Sequence, residues 1–139
     1  MILTTSPLLL ACSLAAAVGY LVVALGHRAL GTRATQGIWM LTWALDGASL
    51  LIYWMESPGR FGFASAISVT TWLVSTIYGI ETQLQPKLRA RWTLATLGAA
   101  AVILNLLYPG SVHPRLPSVW LPLHWALGIA SYGLIGAAV

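Results

Sequence analysis

Two residues in this sequence have side chains that can bind a proton or a metal ion and stand in almost entirely apolar stretches. Asp46 lies in the middle of one hydrophobic block, and His124 lies near the beginning of another. An ionised side chain is costly inside hydrocarbon, so residues of this kind are candidates for function. The carboxyl group of an aspartate can hold a proton or a cation, and the imidazole of a histidine can bind a metal.

Asp46 shares one face of its predicted helix with aromatic residues. Trp39 and Trp43 stand seven and three residues before it, and Tyr53 stands seven after it. We expect this face to look into a helix bundle, because an aspartate that faces lipid at mid-depth has the most costly placement available. Two interpretations remain: Asp46 accepts a proton, binds a cation or contacts a ligand, or a neutral Asp46 hydrogen-bonds a neighbouring Ser, Tyr or Trp and joins two helices.

The surroundings of His124 are typical of a site for a flat ligand. Trp120 precedes it by about one helical turn, and Gly128 follows one turn later on the same face. Glycine has no side chain, so it leaves a slot beside the imidazole, which is a common axial ligand of haem iron. The alternative is an interfacial histidine in an ordinary aromatic belt.

His113 is a second candidate on the same side, in the proline-rich link before this segment. Two histidines that reach one face from adjacent elements would be a more specific haem signal than one. The spacing therefore leaves two alternatives open, a cofactor site for haem with His124 as the iron ligand and an interfacial histidine. The residues predicted to contact the cofactor are His124, His113, Trp120 and Gly128.

The elements that must position these residues are apolar blocks long enough to cross a bilayer. The chain has 139 residues, of which 58% are hydrophobic and 7% are charged, whereas a soluble domain has roughly 25% charged residues. A spanning helix needs about 20 apolar residues. The sequence predicts an all-α, polytopic transmembrane helical bundle of about five spans, in one domain over residues 1–139. The predicted spans are about 8–26, 37–55, 63–80, 92–108 and 119–139.

The basic residues predict the orientation of the bundle. Only Arg60 and Arg115 lie in the second and fourth links, and the other five basic residues lie in the first and third. By the positive-inside rule the first and third links are cytoplasmic and the amino terminus is outside. The net charge of +4 therefore orients the protein in the lipid bilayer, its expected partner, and we expect no binding to nucleic acid.

A segment around His124 resembles a known family. Residues 121–134, LPLHWALGIASYGL, resemble the segment that opens the later half of the cytochrome c assembly, haem-handling membrane proteins. In that family a leucine–histidine pair is followed by a Ser/Ala–Tyr pair, and here Tyr132 follows His124 by eight residues. The resemblance is to the HemX-like branch of the bacterial inner membrane. Two further segments look like the early spans of the family, residues 43–51 and 68–74.

The resemblance implies a multi-pass protein of the bacterial inner membrane that presents or binds haem at the outer face, with His124 as the outer axial ligand. Other cytochrome c assembly components, or a second copy of the chain, are the implied partners. The early spans of the family usually show Leu-His-Ala where this chain has Leu45-Asp46-Gly47. The later spans and second outer histidine of the family do not follow, so we expect a short relative or the front part of a longer protein.

Other functional classes give the alternatives. The sequence contains no Gly-rich phosphate loop, no His-Glu-x-x-His and no nucleophile elbow, and it has three acidic residues in all. We therefore do not expect an enzyme. The alternatives to haem handling are a transporter or channel component that uses Asp46 as its coupling or selectivity acid, and a structural membrane subunit.

Overall fold

The computed structural model is helical, with one short pair of strands. It describes residues 6–26, 28–56, 60–84 and 91–112, and, beyond them, 124, 127–128, 130–132 and 135. The helices are α1 (Pro7–Gly26), α2 (Thr32–Glu56), α3 (Phe63–Leu84) and α4 (Arg91–Leu107). The strands are β1 (Arg60–Phe61) and β2 (Ser111–Val112).

Three of these helices are long and apolar enough to cross a membrane, namely α1, α2 and the Phe63–Ile80 part of α3. The apolar part of α4, Trp92–Leu107, is shorter. The chain is therefore a membrane protein with several spanning helices. Within the last predicted span, 119–139, the seven described residues are all helical. The number of about five spans and the outside amino terminus remain predictions.

The boundaries of the four described helices agree with the predicted blocks within one residue, except at the end of α3, which is at Leu84 and not near residue 80, and at the start of α2. This helix begins at Thr32 and not near residue 37. The cause is visible at Thr35, whose backbone N–H and side-chain hydroxyl both donate to the carbonyl of Gly31, at 3.0 and 3.1 Å. The polar residues that precede the apolar block are thus the first turns of the helix.

Helix α1 begins at a proline with a serine cap. The backbone N–H of Leu9 donates to the hydroxyl of Ser6 at 3.1 Å, which satisfies one of the N–H groups that a helix start leaves free. Pro7 stands at the first helical position, where its missing N–H removes no bond. The local sequence therefore sets this boundary.

Helix α1 is the centre of the described bundle. It packs extensively against both α4 and α2, whereas α3 packs mainly on α4 and contacts α2 less. Small buried residues such as Ala16, Ala95 and Ala99 let the helix backbones come close, which is how helices associate in lipid. Between α3 and α4, the hydroxyl of Ser65 donates to the side-chain oxygen of Asn105 at 2.9 Å.

The strands β1 and β2 join the link after α2 to the link after α4. They are antiparallel, with Arg60 opposite Val112 and Phe61 opposite Ser111. Beside them, a Cβ placed on Gly62 would lie 2.8 Å from the Cα of Gly110. The two backbones can approach this closely because Gly62 lacks a side chain.

We expect Gly62→Ala to open this strand pair and to lower the stability of the bundle by about 1 kcal/mol, because the added methyl group overlaps the Gly110 backbone. Hydrogen exchange at the backbone amides of the two strands measures the opening. Gly31→Ala is the control, since a Cβ there meets no atom within 4 Å. Equal exchange in the two variants would contradict this close approach.

Candidate functional site

The interior of the bundle holds an acidic side chain. Asp46 is 2% exposed and belongs to the buried face of α2. The polar members of this face recur every three, four or seven residues and so form one stripe along the helix. They are Thr35, Thr42, Asp46, Ser49 and Tyr53.

One hydrogen bond fixes the carboxyl group of Asp46. The hydroxyl of Tyr20, on α1, donates to its Oδ2 at 3.0 Å. The other oxygen, Oδ1, has no hydrogen-bond partner among the described residues. The neighbouring Ser49 does not supply one, because its hydroxyl donates to the backbone carbonyl of Asp46 at 2.8 Å.

A third helix contributes a polar group to the same place. Ser75, on α3, is 1% exposed and lies beside the hydroxyl of Tyr20. Its Oγ makes no hydrogen bond to any residue that the structure describes. Tyr20, Asp46 and Ser75, here called the Asp46 cluster, therefore come from α1, α2 and α3. A site of this kind can hold a proton or organise the three helices.

Aromatic contacts hold Tyr20 in position. Its ring meets that of Trp39 edge-on, with centroids 6.0 Å apart, and Trp39 meets Tyr78 in the same way at 6.1 Å. On the opposite side a Cβ on Gly98 would come within 2.9 Å of the Tyr20 ring. The ring is thus enclosed by α2 and α4, so its hydroxyl has little freedom to leave Asp46.

A pair of tryptophans joins α2 to α3, which contact each other less than the other neighbouring helices do. Trp43 and Trp72 stack with centroids 5.3 Å apart and planes 9° apart. The indole N–H of Trp72 donates to the carbonyl of Trp43 at 3.0 Å, and that of Trp43 donates to Thr76 at 2.8 Å. Beside the pair runs an apolar groove of about 400 Å³, which Gly47 and Trp54 help to line.

The predicted face of α2 is found inside the bundle. Trp39, Asp46 and Tyr53 are buried, and Trp43 is half-buried beside the groove. Sequence reasoning left open whether a Ser, Tyr or Trp would pair with Asp46, and it did not single out Tyr20 or Ser75. The available signal was the spacing of small residues and Tyr20 on one face of α1, which marks a surface that packs closely against other helices.

The structure describes part of the predicted haem site. His124 is helical and exposed, and Gly128 is half-buried one turn later. A Cβ on Gly128 would meet no atom within 4 Å. His113 and Trp120 lie outside the described residues.

These residues fit a haem group in one respect. An exposed imidazole on a helix, followed by a glycine one turn later, suits one axial ligand of haem iron. Within the described ranges there is no group of three or more His, Cys, Asp and Glu residues that could hold a metal ion. Among these residues His124 alone would therefore provide the nitrogen for iron.

Comparisons of the chain with protein-family models, with curated proteins and with solved structures find no match. Function must therefore be inferred from the residues and their geometry.

Proposed function

We propose that this membrane protein handles haem, which it binds or presents at the outer face of a bacterial inner membrane. The observation that carries the proposal is the exposed imidazole of His124, with Gly128 one helical turn away and open space at its Cβ position. The resemblance of residues 121–134 to haem-handling membrane proteins of cytochrome c assembly points to the same ligand.

Each residue of the proposed site has a distinct part. His124 would hold the iron through an imidazole nitrogen, and Gly128 would let the flat ring approach the helix. Trp120 would pack on the ring edge, and His113 would provide the second nitrogen. When bound, haem would supply an iron atom that imidazole nitrogens can ligate.

The topology that goes with this function has about five spans and an outside amino terminus. The distribution of basic residues supports it, because five of the seven lie in the first and third links. This orientation would put His124 near the outer surface, where haem is passed to partners. Other cytochrome c assembly components, or a second copy of this chain, are the proposed partners.

Haem titration of the purified protein in lipid nanodiscs tests the proposal. We expect a Soret absorbance band in the wild type and an affinity lower by at least about tenfold in His124→Ala, since the loss of a direct ligand exceeds the usual effect of outer-shell changes. His27→Ala is the matched control, because this histidine follows the first apolar block. Equal affinity in wild type and His124→Ala would remove His124 from the site.

A further inference from the structure

The Asp46 cluster lies deep in the bundle, and its three side chains are buried away from the surface. Asp46 is fourteen residues from the start of α2 and ten from its end. At the helical rise these separations correspond to about 20 Å and about 15 Å. The carboxyl group is therefore near the middle of a helix long enough to cross the membrane.

The surrounding helices offer no countercharge. The segments 7–26 of α1, 63–80 of α3 and 92–107 of α4 contain no Asp, Glu, Lys, Arg or His. The titratable groups that lie on this interior are the phenols of Tyr20, Tyr53 and Tyr78. Among the residues that the structure describes, a carboxylate here would have no opposite charge beside it, and a low-dielectric interior strongly disfavours that state. The described surroundings of Asp46 therefore favour the neutral, protonated form of its carboxyl group.

The geometry places this proton on one oxygen. Oδ2 already accepts the hydrogen bond from Tyr20, so the acidic O–H is on Oδ1. Oδ1 has no partner in the described part of the chain. A neutral carboxyl group is a hydrogen-bond donor as well as an acceptor, and a donor buried without a partner is poorly stabilised.

The two ends of the α2 stripe differ. Towards the start of the helix, Trp39 closes the interior through its ring contacts with Tyr20 and Tyr78. Towards the end, two turns after Asp46, Tyr53 is buried and its hydroxyl has no described hydrogen-bond partner. An unpaired hydroxyl can both accept and donate a hydrogen bond, so it can bind a water molecule. The end of α2 therefore offers the better path to water.

We propose that Asp46 is an intramembrane proton-binding site that exchanges its proton with water at the end of α2 by way of Tyr53. On release, the O–H bond at Oδ1 breaks and the proton passes along water to the hydroxyl of Tyr53, which gives its own proton to solvent water and is left unchanged. The carboxylate that remains keeps the hydrogen bond from Tyr20, and uptake reverses these changes. The site needs no haem, so its test is independent of the proposed function.

Infrared difference spectroscopy of the protein in lipid bilayers, without haem, tests the site. We expect a protonated-carboxyl band that shifts on transfer to D₂O and is lost at alkaline pH. Asp46→Asn removes this band, whereas Glu56→Gln, which alters an exposed acid at the end of the same helix, retains it. Asp46→Glu is the second variant if Asp46→Asn does not fold, and it keeps the band at a displaced frequency.

The route has its own test. We expect the band to exchange into D₂O severalfold more slowly in Tyr53→Phe than in the wild type, and at the wild-type rate in Tyr108→Phe, which alters an exposed tyrosine. A band that neither exchanges nor titrates would overturn the proposal and leave Asp46 as a fixed bond between helices. Wild-type exchange in Tyr53→Phe would overturn the route.

Discussion

Tyr20→Ala is expected to lower the free energy of unfolding by about 3 kcal/mol. The side chain is fully buried, contacts Trp39 and Gly98, and donates a hydrogen bond to Oδ2 of Asp46. We place the loss near the lower end of the range for buried aromatic residues, because a side chain that leaves the bundle enters lipid and not water. Reversible unfolding in mixed micelles, followed by far-ultraviolet circular dichroism, measures it.

A second variant at Tyr20 separates the contribution of the ring from that of the hydroxyl, and a variant at an exposed tyrosine is the control. Tyr20→Phe keeps the ring and removes the hydrogen bond, so we expect a loss of about 0.6–2 kcal/mol. Tyr108→Ala removes an exposed tyrosine and should change stability by less than about 0.5 kcal/mol. If Tyr20→Ala were no more destabilising than Tyr108→Ala, the central position of Tyr20 in the bundle would be wrong.

Gly19→Leu is expected to separate α1 from α2, with a loss of at least about 3 kcal/mol. A Cβ on Gly19 would overlap the side chain of Thr42, which is itself buried. The two backbones cannot accommodate a leucine without moving apart, and such a movement also pulls Tyr20 away from Asp46. The same unfolding measurement detects the loss.

Gly37→Leu provides the matched control on α2, because a Cβ there meets no atom within 4 Å. We expect it to leave stability unchanged or to raise it slightly, since leucine favours a helix more than glycine does. In a double-mutant cycle, Gly19→Ala and Thr42→Gly should couple by about 0.5–3 kcal/mol. Additive losses would show that these residues do not touch.

The sequence predicted most of the helices because the apolar runs have clear ends. The predicted block 8–26 corresponds to α1 and the block 92–108 to α4, with differences of at most one residue at each boundary. The predicted start of α2 was less accurate, because polar residues can continue a helix as readily as they can form a link. Thr35 shows this, since its bonds to Gly31 extend the helix beyond the apolar run.

The candidate sites were predictable to different degrees. The burial of Asp46 followed from the cost of exposing an acid to lipid, and it is found in the interior. Its partner Tyr20 is 26 residues away, and no local pattern links the two. The pairing of Arg60 with Val112 in the strands could not be predicted from the sequence either, because it depends on where two distant links meet.

By itself, the sequence determined that the chain belongs in a membrane and which face of α2 turns inward. Both results follow from solvation, since each residue's preference for lipid or for the bundle interior depends on its own chemistry. Only the tertiary structure decided which helices are neighbours, and so brought Tyr20 and Ser75 to Asp46. In lipid one apolar surface attracts another no more than it attracts the acyl chains. Which helices become neighbours therefore depends on close contacts such as those of Gly19 with Thr42 and of Gly98 with Tyr20.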